Sequence, residues 1–396
     1  MSRPWADPSP PTQADGWPKL IDFTDREGAV GTPPQHYGNP LGEQKALAAG
    51  TAIVDLSDRG IITVTGPDRL TWLDSLTSQA LAKLQPGESA ETLLLDPTGR
   101  VEHSMRIVDD GVTAWLLVDG EQVEKLSAWL DRMRFMLRVE VAVPEDYVTV
   151  GAFTPLPEEP RSGGTSLPEE PRSGVSKGAI EQQAAAPNGV PLVWVDPWRE
   201  VVTGGHQYST TTEHPGAEWT YREVLVPRDA DLSAFPAAGS LALEALRIAA
   251  WRPRLTTEVD ERSIPHELDW LRSAVHLNKG CYRGQETVAK VHNLGHPPRR
   301  LVMLHLDGSE GLLPAPGSEV LLGDAVVGRV TSVALHHEFG PIALAVIKRS
   351  VDPAADLIVR GEVDVAAAQE TIVPTDAGAE ANVPRIPRLG AVTRQR

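Results

Sequence analysis

The chain has 396 residues, enough for two or three domains of about 150 residues each and for a sizeable core. Its 37 basic and 54 acidic residues give a formal net charge of −17, which disfavours a general binder of nucleic acid or membrane surfaces because like charges repel phosphate. The single cysteine, Cys281, excludes an internal disulfide and makes the chain a poor permanent holder of an iron–sulfur cluster.

Targeting signals are missing from the sequence pattern. No apolar run approaches the roughly 18 to 20 residues that span a bilayer. The opening residues, MSRPWADPSPPTQADGW, lack the apolar stretch of a signal peptide. We therefore expect a cytoplasmic protein, monomeric, with neither a membrane nor a nucleic acid as a direct partner.

Strand and helix patterns follow one another through the first 150 residues. Apolar runs predict a short helix at 42–50 and strands at 53–56, 60–64, 92–95, 101–108, 112–118 and 137–143. Helical spacing predicts one helix after Asp68 and a second at about 121–133. Asp96 opens a segment, DPTG, with the residues of a tight turn. This order indicates an antiparallel α+β layer, and no Gly-rich phosphate loop is present.

The middle of the chain contains a short repeat. LPEEPRSG occurs at 156–163 and again at 167–174, and its composition predicts a flexible surface insertion, with a docking segment as the alternative. Folded chain is expected to resume at 191, with a helix at about 241–251. Later β-rich segments at 301–306, 319–322, 325–335, 342–347 and 356–363 predict a small sandwich or barrel.

These patterns divide the chain into six parts. We expect mobile ends at 1–19 and 373–396, a first domain part at 20–154, the insertion at 155–190, a second domain part at 191–298 and a C-terminal β-barrel at 299–372. The fold class is therefore α+β.

The most unusual stretch is NKGCYRGQE at 278–286. Glycines on both sides of Cys281 allow positive φ or a close approach of the backbone to a ligand. Lys279 and Arg283 flank the sulfur, and a helix is predicted to start at about Gln285; both features favour a thiolate. A small buried hydrophobe is the alternative for a lone cysteine.

Nearby histidines raise the question of a metal. His276, His292 and His296 lie close in sequence to Cys281, but their spacing matches no familiar zinc pattern, so we predict no metal site. A nucleophile–base pair of Cys281 and His292 stays open at this stage, because sequence spacing cannot establish it.

The stretch KGCYRGQE at 279–286 resembles the signature of the YgfZ family, folate-binding proteins related to the T protein (aminomethyltransferase) of the glycine cleavage system. Further similarities follow in sequence order across roughly residues 36–370. They are TGPD at 65–68 with LTS at 76–78, LDPTGRV at 95–101, ALRI at 245–248, IPHE at 264–267, GRVTS at 328–332 and IALA at 342–345.

The resemblance implies three subdomains in a ring around a central funnel that takes tetrahydrofolate or a derivative. Members of the family are implicated in assembling or repairing iron–sulfur proteins, including those that modify tRNA, so iron–sulfur clients are the implied partners. The resemblance nominates Cys281, Lys279 and Glu102 as catalytic residues. It nominates Arg247, Trp251, Gly280, Tyr282, Gly284, Gln285, Glu286, His103 and Asp96 for the folate site.

Departures from the aminomethyltransferase pattern disfavour glycine cleavage. Paired aspartates of those enzymes correspond here to Glu102 and His103. The position of a pterin-binding glutamate holds Ala249, and a glycine is replaced by Trp251, whose ring could stack on a flat ligand or pack in the core.

We therefore predict a tetrahydrofolate-binding accessory protein for iron–sulfur protein assembly or repair, acting through Cys281 and not as an enzyme in its own right. Two alternatives remain at this point. One is a folate-dependent aminomethyl or one-carbon transferase with Glu102 as the base. The other is a binding module with a vestigial folate site.

Overall fold

The computed structural model describes residues 23–155, 180–309 and 311–381. The strands are β1 (Ile53–Asp55), β2 (Arg59–Thr65), β3 (Ser89–Leu95), β4 (Val101–Asp109), β5 (Thr113–Asp119), β6 (Glu140–Ala142), β7 (Tyr147–Phe153), β8 (Val193–Val195), β9 (Tyr221–Pro227), β10 (Ala237–Ala238), β11 (Arg299–Leu306), β12 (Glu319–Leu322), β13 (Ala325–His336), β14 (Gly340–Lys348), β15 (Leu357–Val359) and β16 (Val365–Thr371). The α-helices are α1 (Pro40–Ala48), α2 (Arg69–Leu76), α3 (Val123–Met133), α4 (Ser240–Ala249), α5 (Leu255–Glu258), α6 (Leu271–Ala274) and α7 (Gln285–Leu294).

The first sheet is antiparallel, with strand order β3-β4-β5-β2-β6. Helix α3 packs on it with the predicted apolar side, because Val123, Leu126 and Leu130 are buried in one cluster with the strands. The predicted strand 137–143 is only the three-residue β6, and the turn before it exposes Phe135 and Met136.

The second sheet has the order β10-β1-β7-β9-β8. Its strand β1 pairs antiparallel with β7 but parallel with β10, so the expectation of a purely antiparallel layer is wrong at this edge. A 3-10 turn at Ile180–Gln183 leads into this sheet, and Ile180 and Ala185 are buried. Packed chain therefore resumes before residue 191. The LPEEPRSG repeat lies outside the described residues.

The C-terminal region is a closed barrel with the order β11-β14-β13-β12-β15-β16. Strand β16 closes it by pairing with β11, and the sequence pattern missed it because its run VAAAQET is poor in β-branched residues. The predicted strand 356–363 is the shorter β15. The α+β fold with a C-terminal barrel is confirmed.

Residues 374–381, expected to be mobile, lie against helix α7. The amide of Glu380 donates to the carbonyl of His292 at 2.9 Å, and that of Ala381 donates to Asn293 at 3.2 Å. Among the described residues, every helix is too short or too polar to span a bilayer.

Candidate functional site

The signature loop is attached to the first sheet by Lys279. Its ammonium donates to the carbonyl of Asp74 in α2 and to those of Thr77 and Gln79 just after α2, at 2.9 and 2.8 Å, and its side chain is 3% exposed. Burial lowers the pKa of Lys279, and the Asp74 carboxylate opposes that shift. Since three carbonyls occupy the ammonium, Lys279 is placed to position the loop.

Two glycines bring the signature loop onto the turn at 96–99. Gly284 has φ +83, and a Cβ there would lie 2.6 Å from the carbonyl oxygen of Asp96. Gly99 has φ +84 and faces Thr287 and Gly284 in the same way. The Asp96 carboxylate accepts from the amides of Thr98 and Arg100 at 2.8 and 2.9 Å. Asp96 therefore acts here as a turn residue, and its role toward folate stays a prediction.

We expect Gly284→Ala to lower the free energy of unfolding by about 1–3 kcal/mol, because the new Cβ meets a backbone oxygen and a left-handed φ strains alanine. Gly280→Ala is the matched control, since a Cβ at Gly280 meets nothing within 4 Å. Urea unfolding of both variants measures the difference. Equal stability of the two would show that the loop does not rest on the turn.

Cys281 is a free, exposed thiol at the tip of this loop. Gly280 beside it is exposed, whereas the Tyr282 ring is buried under the Lys279 ammonium at 5.4 Å. Helix α7 begins at Gln285 as predicted, with Glu286 in its first turn. The Gln285 amide donates to the carbonyls of Lys279 and Gly280 at 3.3 and 3.4 Å. The alternative of a buried structural cysteine is wrong.

Glu102 and His103 lie on opposite faces of β4. The Glu102 carboxylate accepts from Arg283 of the signature loop at 2.5 and 3.4 Å. His103 faces Gln122, with 3.1 Å between Nδ1 and Oε1, and burial lowers its pKa. The structure thus brings Glu102 to the signature loop but engages it in an ion pair, and it places His103 elsewhere.

Arg247 joins α4 to the barrel. Its guanidinium donates to Glu258 at 2.8 Å, to the carbonyl of Arg252 at 2.7 Å, to Ser332 of β13 at 2.6 Å and to Glu244. All its donors are therefore used inside the protein, and a role in ligand binding stays a prediction.

Trp251 is 1% exposed, with φ +59, and packs edge-on against His214 at 5.2 Å between ring centroids. Of the two interpretations of Trp251, stacking on a flat ligand or packing in the core, the structure fits packing in the core. A ligand would have to enter the core to stack on its ring.

A central cavity, partly open to solvent, lies between the two sheets and α4. Its walls come from β2, β4, β5, β9, α4 and the segment after Trp251. The lining residues are Arg59, Glu91, Ser104, Arg106, Asp119, Asp196, Trp219, Tyr221, Glu223, Leu243, Arg247, Arg252, Pro253, Arg254, Leu255 and Trp270. Four carboxylates and five guanidiniums thus share one cavity.

Glu223 of β9 is the most buried acid in the cavity lining, and it pairs with arginines of β2 and β4. Its Oε1 accepts from Tyr221 at 3.0 Å and from Arg59, and Arg106 lies 3.4 Å away. Its Oε2 is buried without a hydrogen-bond partner among the described residues. A ligand donor inside the cavity could therefore bind this oxygen.

The cavity arginines also carry unused donors. Arg252 pairs with Glu91 at 2.7 Å and Asp196 at 3.0 Å, yet its Nη1 has no partner among the described residues. Arg254 Nε is unpartnered in the same way. Burial favours neutral Asp119, but Arg254, Arg106 and Arg59 outweigh it and hold the pKa of Asp119 well below its usual range. The walls can thus bind both donors and acceptors of a ligand.

Sequence reasoning missed these cavity residues. A signal was present, since Arg59, Arg106 and Glu223 are charged residues that stand next to buried residues in their strands. Their pairing joins residues as far apart as 164 positions in sequence, which no local pattern reveals. Within residues 23–155, 180–309 and 311–381, no three His, Cys, Asp or Glu side chains are placed to hold a metal ion.

Comparisons with known proteins agree with this architecture. No protein-family model matches the chain. A chloroplastic protein of Arabidopsis thaliana, named a putative transferase, is 26% identical over 326 residues, which cover 80% of this chain and 70% of that protein. An aminomethyltransferase of Rippkaea orientalis is 25% identical over 361 residues, covering 84% of this chain and 86% of that enzyme.

A solved structure shows the same fold. The glycine cleavage system aminomethyltransferase T from Bartonella henselae superposes with a TM-score of 0.64 at 17% identity, covering 89% of this chain and 95% of that chain. Fold and sequence similarity extend over both sheets and the barrel. The chain is therefore related to the aminomethyltransferases and shares their fold.

Proposed function

We propose that the chain binds a reduced folate, tetrahydrofolate or a derivative, in the central cavity. The observation that carries the proposal is the buried, unpartnered Oε2 of Glu223. A pterin ring presents neighbouring N–H donors on one edge, and a carboxylate is the side chain best suited to accept them. The names of the aminomethyltransferase relatives support a folate ligand, since those enzymes use tetrahydrofolate.

The free donors of the cavity fit the remaining polar atoms of such a ligand. Arg252 Nη1 and Arg254 Nε have no partner among the described residues, and a folate carries carbonyl and carboxylate oxygens that accept from guanidinium groups. Ala249, where the family pattern has a pterin-binding glutamate, does not remove the only acid from the site, because Glu223 lines the cavity. When bound, a reduced folate would supply a carrier for one-carbon units.

The proposed biological role is that of an accessory protein for iron–sulfur protein assembly or repair in the cytoplasm. Support comes from the KGCYRGQE signature and from the exposure of Cys281. The thiol stands outside the cavity lining, where a partner protein can reach it. Glu102 and Arg283 connect its loop to β4, so one scaffold holds both features.

A transferase is the second candidate, and the names of the relatives favour it. Glu102 is poorly suited as its base, because Arg283 occupies both carboxylate oxygens. Asp119 lies in the cavity, but its low pKa makes it a weak base. Formation of methylene-tetrahydrofolate from a methylamine donor is the decisive assay, and no product at saturating substrate would eliminate this candidate.

Anaerobic calorimetry with tetrahydrofolate tests the folate site. We expect wild type to bind and Glu223→Gln to bind at least tenfold more weakly, because a charge-assisted hydrogen bond contributes about 1.5–3 kcal/mol. Glu102→Gln is the matched control, since Glu102 lies outside the cavity lining, and its affinity should stay within about twofold of wild type. Absence of binding by wild type would contradict the proposal and favour a vestigial site.

The role of the thiol needs a separate measurement. In cells lacking the native protein, we expect Cys281→Ser to bind tetrahydrofolate normally but to fail to restore the activity of iron–sulfur enzymes. Asp324→Asn, at an exposed barrel position, is a control that should restore it. Full restoration by Cys281→Ser would show that the thiol is not the reactive group.

A further inference from the structure

A second set of buried polar side chains surrounds Trp198, and it lies outside the lining of the central cavity. The guanidinium of Arg272 stacks over the Trp198 ring at 4.8 Å, and His214 packs against the same ring at 5.9 Å. His214 also contacts Trp251 at 5.2 Å. Arg272, His214 and Trp251 each carry at least one buried atom without a hydrogen-bond partner among the described residues.

Arg272 has more unpartnered nitrogens than any other member of this set. It is 1% exposed, and its Nε and Nη1 donate to no described residue. Asp269, fully buried three positions earlier, is near enough to interact electrostatically but forms no ion pair with it within 4.0 Å. Asp269 Oδ1 accepts from the amide of Tyr208 at 2.7 Å, while its Oδ2 is unpartnered. A buried guanidinium without an acceptor is strongly unfavourable.

The unpartnered ring nitrogens, His214 Nε2 and Trp251 Nε1, are also donors. His214 Nδ1 accepts from the amide of Gly216 at 2.9 Å, so the neutral ring carries its proton on Nε2, which is buried and unpartnered. Trp251 Nε1 can only donate, and it is unpartnered in a residue held at φ +59. Burial lowers the pKa of His214 to about 3, with Arg272 adding to the shift, so the ring stays neutral.

Most of the unpartnered atoms are hydrogen-bond donors. Four are donors, namely Arg272 Nε and Nη1, His214 Nε2 and Trp251 Nε1, while Asp269 Oδ2 accepts when the acid is ionised and donates when it is protonated. Water brings equal numbers of donors and acceptors, so a water cluster would not correct this excess of donors. A small oxyanion brings several acceptor lone pairs, and one proton, carried by either the anion or Asp269, would join the two acid groups.

We propose that this chain has a second, enclosed binding site for a small oxyanion of the carboxylate or phosphate class, formed by Arg272, His214, Trp251 and Asp269. The Arg252 guanidinium of the central cavity lies 5.1 Å from the same Trp198 ring. The proposal does not depend on folate binding, because none of these four residues lines the central cavity.

Thermal unfolding of the full chain, titrated separately with formate and with inorganic phosphate, tests the site. Gluconate, too large for an enclosed site, keeps the ionic strength constant. We expect a saturable rise of the midpoint for wild type with at least one of the two ions. Trp251→Phe removes one N–H donor and keeps an aromatic ring at this position, and it should weaken the apparent affinity about tenfold. Arg272→Met should abolish the response.

An ion that copurifies would hide the titration, so ion chromatography of the denatured protein accompanies it. One formate, phosphate or similar oxyanion released per wild-type chain supports the site equally well. Arg360→Met, at an exposed barrel arginine, is the control and should respond like wild type. The proposal would be overturned if wild type showed no saturable response and released no ion. It would also be overturned if the Trp251→Phe protein titrated like wild type, even if Arg272→Met fails to fold.

Discussion

Replacing Glu258 by alanine is expected to lower the free energy of unfolding by about 3–5 kcal/mol, because it removes one of the two carboxylates that pair with the buried guanidinium of Arg247. Glu258 is 3% exposed and lies at the joint between α4, α5 and the barrel. Its Oε2 accepts from Arg247 at 2.8 Å, and its Oε1 accepts from Thr331 and Ser332 of β13 at 2.9 and 2.5 Å. One carboxylate therefore holds five or more donors from three elements.

Chemical unfolding of Glu258→Ala and of Glu319→Ala gives the comparison. Glu319 pairs with Arg360 on the barrel surface, where Arg360 is exposed and Glu319 is partly exposed, so its loss should cost less than about 1 kcal/mol. A loss of similar size in both variants would mean that the joint contributes no more than a surface ion pair.

Asp269 gives the second large expected effect, a dependence of stability on pH. Burial raises the pKa of Asp269 to about 7, against an ordinary value near 3.9 in the unfolded chain. The native state therefore retains a proton that the unfolded state releases between these two values, and stability falls as pH rises from about 4 to about 7. The expected loss is of the order of 2–4 kcal/mol.

Urea unfolding at pH 5 and pH 8 checks this prediction. Asp269→Asn lacks the titrating group, so we expect its stability to change less between these pH values than that of wild type. Asp324→Asn, at an exposed acid, should keep the wild-type dependence. Parallel pH profiles for wild type and Asp269→Asn would contradict the assignment.

Local patterns predicted those parts of the fold that rest on local physics. The apolar spacing of Leu126 and Leu130 gave α3, and the barrel strands were visible in their β-rich runs. The strands β7, β9 and β16 were missed. Strand β9 carries two charged residues that weaken a strand pattern, Arg222, which pairs with Glu181, and Glu223, which lines the cavity.

The candidate site was likewise predicted only in part. The signature at 279–286 was found because its residues are contiguous, and the structure connects it to the predicted turn at 96–99. The resemblance implied a central funnel and named Arg247 of its lining, but the other lining residues were not predicted, since the walls combine residues from distant parts of the chain. Arg252 and Glu91, for example, form a buried ion pair across 161 positions. Such pairs follow from tertiary packing, which sequence periodicity does not contain.

The attachment of Lys279 to residues 74–79 has a consequence for how the chain reaches its native state. The ammonium joins positions 200 to 205 residues apart, so the end of α2 and the loop after it cannot complete their contacts until the signature loop has been synthesised. Non-local contacts of this kind slow folding because loop closure precedes any gain from packing. We expect the segments synthesised before the signature loop to keep apolar surface exposed during translation. They should therefore be the part of the nascent chain that depends most on chaperones.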